Sequence, residues 1–207
     1  AAGPNVELDD FGLFLWAYGA YLDASGDTDF ENDTLTAVLE GVADPLVALI
    51  DPAQDLLVAD SSIWERHWEE CFPNGRKHFS YSDVQAVHGL RVAHELSGDP
   101  VYEVAAERIP GGLLDLSDGP AFEETFDGAA CPVLASAVEE VCGFCGPYDA
   151  SVIEAVNLEV FRPDSSMAKG TMRALSEHLA MGNGSPGFLR NDDGAGTTNP
   201  HPWYDDQ

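Results

Sequence analysis

An all-α fold is predicted for this chain by three observations. Apolar residues recur at helical spacing through most of its segments, strand-like alternation is scarce, and the segments are joined alternately by short connections and long loops. That alternation suits an array of antiparallel helix pairs, and the spacing alone carries the reading no further than all-α.

The elements follow from local chemistry. Asp9 to Ala24 is apolar at 13, 14, 16, 17, 20 and 21, and Ser25-Gly26-Asp27 closes it, with Gly26 suited to a C-terminal cap. A second helix is expected from Asp33 to Ile50, closed by Asp51-Pro52. Ser82 to Leu96 is a third, stopped by Ser97-Gly98. Asp99-Pro100 then starts a short helix, aspartate as N-cap and proline at the first helical position. Cys131 to Val141, Ser151 to Phe161 and Ser165 to Ala180 complete the set. Long glycine-rich loops are expected at 61–80, 110–120 and 182–202, and loops of that length in a compact domain are usually functional.

The chain is long enough for one domain, and its 44% apolar content supports a core. Its charge is extreme: 37 acidic against 9 basic residues, a formal net charge of -28, with Lys77 and Lys169 the only lysines. The acids are scattered over amphipathic segments rather than gathered in a tail. Such a chain repels nucleic acid and anionic membrane, which require basic patches, so neither is expected as a partner. Self-repulsion at this level favours a salt-rich cytosol or brine, where the Debye length shrinks to about 3 Å at 1 M. Ordinary acidic solubility is the plainer alternative. The longest apolar candidate for a membrane span, Phe11 to Leu22, is too short and carries Tyr18 and Gly19.

The cysteines are Cys71, Cys131, Cys142 and Cys145, the last two forming Cys-Gly-Phe-Cys. No βαβ context supports a redox pair, and the spacing fits no standard zinc pattern. Buried thiols come first, a disulfide second and zinc third. No cofactor and no metal site is expected.

The most informative stretch runs from Ser61 to Tyr81. Glu65 follows Trp64 directly, and a carboxyl held against an indole stays protonated because burial disfavours its charged form. That is what a general acid needs to protonate a leaving oxygen. Spacing alone offers another reading, a capping box with Ser62 as N-cap and Glu65 three positions on. Asp9 and Asp10 likewise read as a helix N-cap favoured by the macrodipole. Trp16 reads as core, and His67, His88, His94 and His178 as surface or core residues. Arg190 stands in a glycine- and asparagine-rich loop, where its planar fork suits vicinal hydroxyls or a carboxylate.

Several motifs together resemble one family. They are Trp64-Glu65, His78-Phe79-Ser80-Tyr81, Asp9-Asp10-Phe11-Gly12-Leu13-Phe14-Leu15-Trp16-Ala17, Asp149-Ala150-Ser151, Leu189-Arg190-Asn191-Asp192-Asp193 and Asn199-Pro200-His201-Pro202-Trp203. In this order they resemble the catalytic domain of glycoside hydrolase family 15, the glucoamylases and their bacterial and archaeal relatives, here of a halophilic archaeal type. The resemblance covers nearly the whole chain. It implies an (α/α)6 barrel, two concentric rings of helices with the active site in the loops at one end.

The same resemblance implies an exo-acting, inverting α-glucosidase releasing glucose from the non-reducing end of α-1,4-glucans, with Glu65 as general acid. Arg190 and Asp193 (or Asp192) would hold the terminal glucose, Trp203 would stack on a sugar face, and Asp9, Trp64, His78 and Tyr81 would border the site. Arg66 stands where fungal members carry a second glutamate. The aspartates follow Arg190 at two and three positions rather than the family's four, and His201 interrupts the Asn-Pro-Trp motif. Such a barrel needs about twelve helices and the spacing yields about seven. The expectation is therefore a single partial catalytic domain over 1–207, truncated at both ends, with the general base outside it and no turnover alone.

A trehalase of the same family, a barrel retained for carbohydrate binding or regulation, and a redox or metal module built on the cysteines are the alternatives. The expected partner is an oligosaccharide. The compartment is read as the cytoplasm, with an extracellular location as the alternative, and the oligomeric state is open.

Overall fold

The computed structural model describes residues 6–60, 78–115, 149–181 and 186–189. Within them the chain is all-α apart from one minimal hairpin, as the spacing predicts.

Helix α1 (Asp9–Ser25) ends on Gly26 at φ 62°, whose amide bonds the Leu22 carbonyl. The left-handed conformation there is one that glycine adopts without a Cβ penalty. Helix α2 (Thr28–Val38) begins five residues before the expected Asp33. The reason is a cap: the Asp27 carboxylate accepts from the Phe30 amide at 3.0 Å. The helix then widens into a π-turn at Leu39–Ala43, where the Asp44 amide bonds the Leu39 carbonyl, and continues as α3 (Asp44–Ala48). Pro45 lacks an amide proton, and the wider turn carries the chain past it.

Strands β1 (Ile50–Asp51) and β2 (Leu56–Leu57) pair antiparallel, Ile50 opposite Leu57 and Asp51 opposite Leu56. Two residues per strand leave no alternation for sequence to show. Helix α4 (Ser80–Ser97) closes on Gly98 at φ 70°. The Asp99 carboxylate then caps α5 (Pro100–Asp115) through the Val101 amide at 2.9 Å. This helix is a correction to the expected short segment and loop at 110–120, since it runs through Pro110 for 16 residues. Ile109 and Leu113 on either side of the proline are fully buried, and that burial outweighs the lost backbone bond. Gly112 lies against the backbone of the β-hairpin turn, where a Cβ would come within 2.7 Å of the Asp55 carbonyl oxygen. Arg108 fixes the same turn through its Nε bond to Asp55 Oδ1 at 2.8 Å.

The expected helix from Ser151 to Phe161 is also corrected. A 3-10 turn (Ala150–Ile153) leads into the single-turn helix α6 (Glu154–Asn157), and Glu159 at φ 50° ends it. Arg91 of α4 donates to the Leu158 and Glu159 carbonyls at 3.1 and 3.2 Å, satisfying acceptors left by that short helix. Helix α7 (Ser166–His178) starts at the Ser165 cap, as expected. Its end pairs with the described part of the following loop, the Leu189 amide bonding the Leu179 carbonyl at 2.6 Å.

The centre of the fold is a parallel pair, α1 and α4. Gly12 faces Gln85 and Gly89, Trp16 faces His88, and Gly19 faces Val92, so the two chains ascend together. Each helix has a second helix folded back on it: α2 on α1 through Tyr18 to Thr34 at 2.9 Å, and α5 on α4 across the Gly98-Asp99 link. Leu15, Leu46, Leu56, Leu57, Leu90 and Ile109 fill the space between. No helix among the described residues is long and apolar enough to cross a membrane.

Candidate functional site

Because α1 and α4 are parallel, their first turns lie side by side, and polar residues gather there. Asp9 is the first residue of α1 and is only 3% exposed. Its carboxyl is not the helix cap that the sequence suggested: the N-cap position is Leu8, with no side-chain cap bond. Asp9 Oδ1 accepts no hydrogen bond among the described residues. Burial pushes its pKa from 3.8 up to about 7, and Asp10, Asp60 and Glu7 add to the rise by repulsion.

Tyr81 lies in the first turn of α4, half-buried, with its hydroxyl hydrogen-bonded to the Gln85 side chain. Burial pushes it up to about 12, helped by the negative charges of Asp9, Glu154 and Asp10. The segment that carries Glu154, the 3-10 turn and α6, packs against the same helix α4. Asp149 holds the start of that segment from a fully buried position by accepting from the Ser151 amide at 2.7 Å.

Two further buried aspartates complete the cluster. Asp60, which follows β2, accepts at one oxygen from the Leu8 amide at 3.0 Å and the Ser82 hydroxyl at 2.6 Å. Asp83 accepts from the Leu57 amide at 2.8 Å, tying β2 to α4. Burial raises Asp83 to about 8, Asp60 adds to the rise, and His78 works against it. Two turns along the helices, Trp16 and His88 meet with ring centroids 6.5 Å apart. Trp16 is 49% exposed, which corrects its expected place in the core. Burial, together with the neighbouring Arg91, holds His88 below its ordinary value.

Of the residues expected to carry function, Asp9 and Tyr81 fall in the first turns of the paired helices α1 and α4, and His78 stands just before α4. Trp64, Glu65, Arg66, Arg190, Asp193 and Trp203 lie outside the described residues, as do Cys71, Cys131, Cys142 and Cys145. Sequence reasoning missed Asp60, Asp83, Gln85 and Glu154. Among 37 acidic residues a buried aspartate carries no distinguishing mark, and the one signal was position, next to motifs already singled out. No group of three or more metal-ligating side chains among the described residues could hold an ion.

The arrangement suits hydroxyl recognition. A carboxyl with its midpoint near neutrality donates in one form and accepts in the other, and a neutral phenol does both. Comparison with known protein families, with characterised proteins and with solved structures finds no match to this chain.

Proposed function

We propose that the protein is a glycoside hydrolase of the glucoamylase type, an exo-acting and inverting α-glucosidase that releases glucose from α-1,4-glucans. One observation supports this most. Two stretches that carry the resemblance, opening at Asp9 and at His78 to Tyr81, are joined at Asp60, and the stretch opening at Asp149 packs against the same helix α4. Sequence position alone does not require segments far apart in the chain to share one aspartate, as the starts of α1 and α4 do through Leu8 and Ser82. The parallel pair α1 and α4, each backed by a returning helix, is the unit that an (α/α)6 barrel repeats, and the proposal extends the fold to that barrel.

In this reading Asp9 and Tyr81 meet hydroxyls of the terminal glucose. Arg190 and Asp193 hold the same sugar from the other loop, Trp203 stacks on it, and His78, Trp64 and Arg66 border the site. Glu65, kept protonated by Trp64, gives its proton to the leaving glycosidic oxygen while a carboxylate base activates water on the opposite face. Glu65 follows Asp60 by five residues in the chain.

The test is turnover of maltotriose and trehalose, side by side in molar KCl, by the protein expressed from its complete gene. Maltotriose is expected to be cleaved, and Glu65→Gln is expected to lower the rate by about 10²-fold or more. Cleavage of trehalose alone would move the protein to the trehalases. Sugar binding without turnover of either would make it a non-catalytic barrel.

A further inference from the structure

We propose that Asp60 is the positioning residue of this site, one carboxylate oxygen fixing the first turn of α1 beside that of α4 through Leu8 and Ser82, the neighbours of Asp9 and Tyr81. Its role in sugar binding rests on the reading above, while the geometry stands apart from it. The Leu8 amide donates to Asp60 Oδ2 at 3.0 Å, and the Ser82 hydroxyl donates to the same oxygen at 2.6 Å. Leu8 immediately precedes Asp9, and Ser82 immediately follows Tyr81. Asp60 belongs to neither helix and is 1% exposed, so it joins α1 and α4 from a third segment, at the ends that carry the polar cluster. Two donors on one oxygen are a directional constraint: both bonds persist only while the two first turns keep their mutual placement. The glycine contact, with Gly12 three residues beyond Asp9, sets how close the helices lie, and the Asp60 bonds fix how the turns before it are placed.

The test follows the Asp9 carboxyl carbon by NMR as pH is varied, in protein carrying labelled aspartate. The groups facing Asp9 are Asp10, Asp60 and Glu7, and those facing Tyr81 are Asp9, Asp10 and Glu154. Asp60→Asn keeps an acceptor oxygen and loses the charge, whereas Asp60→Ala loses both. The wild-type midpoint is expected near 7. Asp60→Asn is expected to lower it slightly, through the missing repulsion alone. Asp60→Ala is expected to lower it much further toward 3.8, as the loosened carboxyl meets water.

Equal midpoints in the two variants would overturn the proposal, because charge alone would then account for both. If Asp60→Ala does not fold, Ser82→Ala removes only the 2.6 Å bond. A lowered Asp9 midpoint in Ser82→Ala supports the proposal, and an unchanged one overturns it. Maltose titration by calorimetry adds the functional arm, with binding expected to weaken about ten-fold in Asp60→Ala, or ~1.4 kcal/mol, and much less in Asp60→Asn. Absence of maltose binding in the wild type would count against the sugar reading, and the Asp9 titration would still judge the positioning role.

Discussion

A Cβ added to Gly89 of α4 would lie 2.6 Å from the Cα of Gly12 on α1. The reverse substitution would drive a methyl group into the Gln85 backbone carbonyl. Neither obstacle is a side chain that could turn aside, so the two helices touch backbone to backbone. This contact lets their first turns share one cluster. Gly89→Ala is expected to destabilise the protein by about 1–3 kcal/mol, the usual cost of overpacking a close contact. Denaturant unfolding would measure it, and a change below about 0.5 kcal/mol, the range of ordinary surface substitutions, would mean the helices can separate freely.

Asp9 gives the fold a pH dependence of definite sign. Its pKa rises from 3.8 unfolded to about 7 folded, so the native state holds the extra proton between those values. The stabilisation is complete below 3.8 and is lost as pH rises through about 7. At roughly 1.4 kcal/mol per unit the full span is worth about 4 kcal/mol. Melting temperature is expected to fall between pH 5 and pH 8, and Asp9→Asn is expected to flatten that fall measurably. An unchanged slope would show that Asp9 does not titrate as its burial requires.

Asp83 isolates one buried hydrogen bond. Asp83→Asn keeps an oxygen for the Leu57 amide, whereas Asp83→Ala leaves that buried donor without its acceptor. The alanine variant is expected to lose about 1–3 kcal/mol more than the asparagine variant in unfolding experiments. Equal losses would indicate that the tie between β2 and α4 contributes nothing.

The charge of -28 predicts a strong response to salt. Repulsion among exposed carboxylates is screened as the Debye length falls from about 10 Å at 0.1 M to about 3 Å at 1 M. Melting temperature is expected to climb steadily with KCl over that range. A flat or falling curve would remove the reading of the acidic surface as salt adaptation.

Much of the fold was legible because its signals are local. Gly26, Gly98, Asp99-Pro100 and Ser165 each mark a boundary by their own backbone chemistry, and each boundary stands where that chemistry places it. What was not legible depends on tertiary packing. Pro110 reads as a breaker, yet buried Ile109 and Leu113 carry α5 through it. Asp27 reads as a turn residue, yet it caps a helix that starts earlier than its apolar spacing shows. In the site, Asp9 and Tyr81 were singled out by motif. Asp60 and Asp83 were hidden because only the fold distinguishes a buried carboxylate from the many on the surface of so acidic a chain.

The most direct measurement of the central claim is the anomer first released from maltotriose in molar KCl by the protein expressed from its complete gene, followed by proton NMR. The account predicts β-glucose ahead of mutarotation, with the signal lost in Glu65→Gln. Release of α-glucose first, or undiminished release by the variant, would contradict it.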